Sequence, residues 1–180
     1  MRLEIFDDFD DQALVSFTGK LNILRKQDSG FVGEIIFLDG EVVNANYQKI
    51  DGFKALMKLC VLSSDGENFR KVVEPELILP SQRKISIPLG ALKRKINDIY
   101  DKYIDAEKYR PPGNMKLLPR AEVISSNIDI TPQEYSLLCT LSDYNMVDDV
   151  YTYNEMLDFE ITQALVNLRK KEILKVIKLV

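Results

Sequence analysis

The dipeptide Asp39-Gly40 separates two runs of residues that have the composition of β-strands. Phe31–Leu38 precedes it and Glu41–Tyr47 follows it, and both are rich in β-branched and aromatic side chains. Because glycine tolerates the positive φ of a primed two-residue turn, Asp-Gly between such runs predicts a tight β-hairpin. This part of the chain is therefore expected to form an antiparallel sheet.

Further elements are predicted on both sides of the hairpin. Thr18–Leu24 and Asn68–Val73 have strand composition, and Asp51 is placed to cap a helix that lies between the hairpin and the last strand. At the front, we expect Leu3–Ile5 to pair with the sheet and Asp10–Phe17 to form a short helix. The order strand–strand–strand–helix–strand predicts an antiparallel sheet with a helix against one face.

Charge divides the 180 residues into three parts. Residues 1–80 carry 9 basic and 14 acidic groups, residues 81–120 carry 10 and 4, and residues 121–180 carry 5 and 10. We therefore predict a β-rich domain over 1–80, a basic connector over 81–120 and a second acidic domain over 121–180. The net charge of −4 disfavours a nucleic-acid binder that is basic over its whole surface.

The connector has the apolar spacing of a helix that packs along one side. Intervals of 3, 4, 3, 4 and 3 residues separate six apolar positions: Leu89, Leu92, Ile96, Ile99, Tyr103 and Ala106. This seam predicts a helix over about residues 89–110, which begins after Pro88. Two interpretations are open: the seam docks on one of the chain's own domains, or it pairs with a second copy to form a homodimer.

The last domain has the pattern of a small winged-helix unit. Thr131-Pro132-Gln133-Glu134 predicts a capping box at the start of a first helix, a second helix covers Val147–Met156, and Asp158 is expected to cap a third. The alternating run Ile173–Val180 predicts a strand after the third helix. The predicted fold class is thus α+β: a small antiparallel sheet with a packed helix, a long connector helix and a C-terminal winged-helix domain.

The sequence offers little for catalysis, because it contains no histidine and two cysteines, Cys60 and Cys139. Ser-His and Cys-His pairs and histidine metal ligands are therefore excluded. Each cysteine lies in an apolar run, so both are predicted to be buried, reduced thiols. We expect no enzyme, with no catalytic residue, no cofactor and no metal. No apolar run is long enough for a membrane span, and the expected location is the cytoplasm.

Several motifs within residues 14–73 resemble one bacterial domain family. They are Thr18-Gly19-Lys20-Leu21, the hairpin from Gly33 to Ala45, Gly52-Phe53-Lys54-Ala55-Leu56 and Gly66-Glu67-Asn68-Phe69. This segment resembles the PATAN domain. The resemblance implies a domain without catalytic residues, of the kind that mediates protein–protein contacts in two-component and motility regulators.

Two functions follow as hypotheses. The first is a non-enzymatic adaptor in cytoplasmic bacterial signalling, polarity or motility, and the alternative is a DNA-binding transcription regulator that acts through the winged helix. For the alternative, Asp158 and Glu160 of the third helix would face phosphates, which disfavours DNA. The candidate partner-binding residues lie on the connector and on the outward face of the last helix: Lys93, Arg94, Lys95, Glu160, Gln163 and Asn167.

Overall fold

The computed structural model describes residues 3–64, 68–120 and 128–178. The chain divides into two compact units, Met1–Tyr100 and Asp101–Val180, and the boundary between them falls within one long helix. Gly66 and Glu67 of the PATAN-like motifs lie outside the described residues, as do the last two residues of the predicted C-terminal strand.

The first unit is a mixed α and β structure. Its elements follow along the chain as α1 (Ile5–Leu14), β1 (Gly19–Arg25), β2 (Phe31–Leu38), β3 (Glu41–Tyr47), β4 (Ile50–Asp51), α2 (Gly52–Ser63), β5 (Phe69–Pro75), a 3-10 turn (Pro80–Gln82) and the first part of α3 (Leu89–Glu107). The strands form one antiparallel sheet in the order β4-β3-β2-β1-β5. The predicted α+β class is confirmed.

The β2–β3 hairpin has the predicted turn. Asp39 and Gly40 have φ values of 52° and 79°, both positive, as a type I′ turn requires. The Phe37 ring on β2 lies 5.9 Å from the Phe9 ring of α1. On the same face of the sheet, Leu59 of α2 lies against Gly33. Thus α1 and α2 cover one face, and the main core of the first unit lies between them and the sheet.

The N-terminal segment differs from its prediction. Leu3–Ile5 does not join the sheet, and the helix predicted over Asp10–Phe17 begins earlier and ends earlier, as α1. The cause is the burial of Phe6 and Phe9, which are 2% and 0% exposed and share the inner side of α1. A helix that starts at residue 5 buries both rings on its inner side, whereas a helix that starts at residue 10 would contain neither.

The start of α2 is held differently from the prediction. Asp51 stands at the N-cap position, but its side chain makes no capping hydrogen bond and instead pairs with Lys84 at 2.5 Å. The buried Asn44 side chain takes that role: its Oδ1 accepts from the backbone N–H groups of Gly52 at 3.0 Å and Ala45 at 2.8 Å. A cross-strand amide therefore anchors the helix start.

The connector helix forms as α3. In the first unit its Leu92 and Ile96 side chains are both 0% exposed, and Lys93 Nζ contacts Asp10 Oδ1 at 2.6 Å. Ile99 is half-buried. Burial of the seam within the chain favours the first interpretation, docking on the chain's own domain.

The second unit contains the last turns of α3 followed by β6 (Met115–Pro119), α4 (Pro132–Asp143), α5 (Val147–Tyr153), α6 (Asp158–Lys170) and β7 (Leu174–Lys178). β6 pairs antiparallel with β7. The capping box at α4 is confirmed: Glu134 N–H donates to Thr131 Oγ1 at 3.2 Å, and Thr131 N–H donates to Glu134 Oε2 at 2.8 Å. β6 is not among the strands predicted from the sequence, and the winged-helix assignment stays a prediction.

Candidate functional site

An open cleft of about 610 Å³ lies in the second unit between the last turns of α3 and the outer side of α6. Seven of its nine lining residues are polar, and the other two are Ala106 and Val166. The α3 end contributes Lys102, Asp105, Ala106 and Tyr109, and α6 contributes Thr162, Gln163, Val166, Asn167 and Lys170. Because residues of two helices that are distant in the sequence meet there, the cleft is a candidate binding site in this unit.

The amphipathic pattern of α6 places its polar side chains in the cleft. Ile161, Leu165 and Leu168 are at most 1% exposed and pack into the core of the second unit. Gln163 and Asn167 lie on the opposite side and are exposed. Four residues apart, they present two side-chain amides along one line, and an amide can both donate and accept hydrogen bonds.

The end of α3 is anchored by aromatic packing. The Tyr103 ring, 5% exposed, lies 6.4 Å from the Phe159 ring at an angle of 59°. Lys102 Nζ lies 5.9 Å from the centre of the same Phe159 ring, where a cation–π attraction holds the amine beside the cleft. These contacts give the α3 wall of the cleft a defined position against α6.

The charge in the cleft is positive. Lys108 Nζ pairs with Asp105 Oδ1 at 2.8 Å, so the one carboxylate of the lining already has a cationic partner. The Asp105 carboxylate raises the pKa of Lys108 through this hydrogen bond. Lys102 and Lys170 therefore supply the excess charge, and the cleft favours a ligand that brings carboxylates.

A buried polar network underlies the cleft. Arg110 Nη1 lies 3.6 Å from Asp158 Oδ2, and the guanidinium stacks 4.2 Å above the centre of the Tyr151 ring. Tyr151 Oη and Thr162 Oγ1 are 2.6 Å apart, and Thr162 Oγ1 donates to the Asp158 carbonyl at 2.9 Å. Leu157 holds the N-cap position of α6 and Asp158 is its first residue, so the prediction that Asp158 caps this helix is wrong. Asp158 is also 4% exposed, so the prediction that its carboxylate faces outward is wrong as well.

The tyrosines beside this network remain protonated near neutral pH. Burial raises the pKa of Tyr151 to about 12. Burial, together with the neighbouring Asp158 carboxylate, raises the pKa of Tyr103 even further. A hydroxyl with so high a pKa is a poor general acid or base at neutral pH. The network therefore has a structural role: its hydrogen bonds and its ion pair hold the first turn of α6 in place next to the cleft.

The six predicted contact residues fall into two groups. In the first unit, Lys93 pairs with Asp10 as described, Lys95 Nζ lies 4.4 Å from the centre of the Phe53 ring, and Arg94 is exposed. In the second unit, Gln163 and Asn167 line the cleft. Glu160 does not line it, because its Oε2 accepts the Leu157 N–H at 2.9 Å and closes the start of α6.

Five polar residues of the cleft are not among the predicted contact residues: Lys102, Asp105, Tyr109, Thr162 and Lys170. A signal for three of them was present, since positions 102, 105 and 109 have the i, i+3, i+7 spacing of one helix face. Lys170 follows Gln163 by seven residues on α6 and shares its face in the same way. The spacing does not predict that these faces of α3 and α6 lie next to each other.

Outside the cleft, three further features of the described residues bear on function: the cysteines, possible metal ligands and possible membrane-spanning helices. Cys60 is buried and free, and burial raises the pKa of its thiol; Cys139 is free and exposed, so its predicted burial is wrong. Across residues 3–64, 68–120 and 128–178, no group of three or more Cys, Asp or Glu side chains is arranged to hold a metal ion. Within those same ranges, no helix combines the length and apolar character needed to cross a bilayer.

Comparison with known proteins gives no relative. No family model matches the chain, and neither the curated proteins nor the solved structures contain a match.

Proposed function

We propose that this protein is a non-enzymatic adaptor that binds a partner protein through the cleft between α3 and α6. The observation that carries the proposal is the composition of the cleft. Exposed amides at Gln163 and Asn167 and exposed amines at Lys102 and Lys170 surround a floor that contains Ala106 and Val166. A polar rim around a small apolar centre is the usual anatomy of a protein–protein contact.

The partner segment has a defined chemistry. Its carboxylates pair with the lysines, its backbone or polar side chains bond the two amides, and one apolar side chain covers Val166. The resemblance of residues 14–73 to PATAN domains supports the same class of function, in bacterial signalling, polarity or motility within the cytoplasm.

The test is a quantitative pull-down from the native cytoplasm with a matched pair of variants. Gln163→Trp fills the cleft, whereas Gln133→Trp makes the same change at an exposed position of α4. We expect a stoichiometric partner with the wild type and with Gln133→Trp, and its loss with Gln163→Trp. Recovery of no partner, or equal recovery with both variants, would overturn the proposal.

One observation favours DNA binding as a second candidate. Arg169, Lys170, Lys175 and Lys178 are exposed near the end of α6 and on β7. Against it, the α6 face that would read base edges shares its cleft with side chains of α3, which restricts entry into a major groove. Fluorescence anisotropy with duplex DNA at two salt concentrations separates the two functions, since tight binding with a steep salt dependence supports DNA.

A further inference from the structure

Strand β5 forms a long edge of the sheet in the first unit. It pairs with β1 along its whole length, from Gly19 opposite Pro75 to Arg25 opposite Phe69. Its other side has no strand partner among the described residues of this unit. Val72 and Val73 in the middle of the strand are 39% and 43% exposed. An exposed edge of this length is a template for pairing with another strand.

The direction of the backbone groups of β5 follows from one hydrogen bond. Lys26 N–H donates to the Asn68 carbonyl at 2.9 Å, so Asn68 directs its backbone toward β1. Because this direction alternates along a strand, Lys71 and Val73 direct their N–H and C=O groups to the open edge. Arg70, Val72 and Glu74 direct theirs toward β1, and their side chains share one face of the sheet.

The side chains of β5 are self-complementary about Val72. Arg70 stands two residues before it and Glu74 two residues after it. In an antiparallel pair of two β5 strands related by a two-fold axis at Val72, Arg70 of one copy lies opposite Glu74 of the other, and the contact occurs twice. Both are exposed, and Asn22 Nδ2 donates to Glu74 Oε2 at 2.9 Å, which holds that carboxylate on the shared face.

We propose that β5 pairs with β5 of a second copy, with Val72 opposite Val72, and joins two five-stranded sheets into one. In this register Lys71 and Val73 of the two copies exchange backbone hydrogen bonds. Val72, Arg70 and Glu74 occupy the non-hydrogen-bonded positions, where side chains approach most closely. Pro75, which lacks an N–H, falls at the end of the ladder opposite Phe69, where the lost donor costs least.

Charge selects this register over its neighbours. A shift of the axis to Lys71 places two lysines opposite each other, which opposes that register. A shift to Val73 places Arg70 opposite Glu76, but Glu76 lies beyond the end of β5 and already pairs with Lys20 at 2.9 Å. Seven residues on each side make a small interface, so the dimer depends on protein concentration and on salt. This surface lies in the first unit and is independent of the cleft in the second.

Sedimentation velocity over a range of protein concentrations tests the proposal. Arg70→Glu and Glu74→Arg each place like charges opposite one another twice, and we expect each to weaken dimerisation about tenfold or more. An equimolar mixture of the two variants restores both opposite-charge pairs and should dimerise like the wild type. Lys49→Glu, the same charge change at an exposed site between β3 and β4, at the opposite edge of the sheet, is the matched control and should leave dimerisation unchanged.

Two results would overturn the proposal: a wild type that is monomeric at its highest soluble concentration, or a mixture that fails to recover dimer. Crosslinking tests the register separately, in a Cys139→Ser background. Val72→Cys lies on the two-fold axis and should form a disulfide between copies, whereas Arg70→Cys lies opposite residue 74 and should not. Equal crosslinking at both positions would rule out the axis at Val72.

Discussion

Replacement of Ile96 by alanine measures how the apolar seam of α3 is used. Ile96 is 0% exposed in the first unit, so the substitution removes a fully buried side chain from a packed core. Truncation of a buried isoleucine to alanine costs about 2–5 kcal/mol, and full burial places the expected loss of unfolding free energy at about 3 kcal/mol. Ile104→Ala is the matched control, because Ile104 lies on the same helix and is 41% exposed; its cost should stay below about 0.5 kcal/mol.

The assay is urea unfolding followed by far-ultraviolet circular dichroism, with the mass measured by light scattering at low protein concentration. Docking of the seam within the chain predicts a lower unfolding midpoint for Ile96→Ala and an unchanged mass. An unfolding midpoint equal to that of Ile104→Ala would refute the docking of α3 on the first unit. A fall in mass without loss of stability would also refute it and would support a dimer through the seam.

Three further predictions use separate parts of the molecule. Burial of Glu134 opposes its ionisation, but hydrogen bonds from Lys171 and the capping residue outweigh burial and lower its pKa from the ordinary 4.5. The stability that the carboxylate contributes is therefore present above that value and is lost as the pH falls below it. The stability difference between wild type and Glu134→Gln should shrink below about pH 4.5, and a difference that grows in acid would contradict this. Asn44→Ala leaves two buried backbone donors without an acceptor and should lower the unfolding free energy by about 2–3 kcal/mol in urea titration; a cost under about 0.5 kcal/mol would show that its amide is dispensable. In the folded protein a thiol reagent should label Cys139 at once and Cys60 only after denaturant is added, and rapid labelling of both would contradict the burial of Cys60.

Local features of the sequence predict the elements whose partners are near in the chain. The observed bounds of β2 and β3 equal the predicted ones, because the Asp39-Gly40 turn joins the two strands directly. The capping box at Thr131 was predicted for the same reason, since both of its hydrogen bonds span three residues.

Elements that depend on distant partners were missed. β6 is short, and among the described residues three helices separate it from its partner β7, so no local pattern marks it as a strand. Asp158 has the sequence position of an exposed cap, yet Arg110 draws it into the interior. Only the α6 side of the cleft was predicted in part, because Gln163 and Asn167 follow from the helical period of α6. The α3 side depends on a tertiary contact, which no local pattern in the sequence predicts.

The most direct test of the cleft as a partner-binding site is photocrosslinking in living cells. A photoreactive amino acid at Asn167 places the crosslinker in the cleft, and one at Gln133 places it on the exposed side of α4. An adaptor that binds through the cleft predicts one protein adduct of defined mass from position 167 and none from position 133. No adduct from position 167, or the same adduct from both positions, would contradict it.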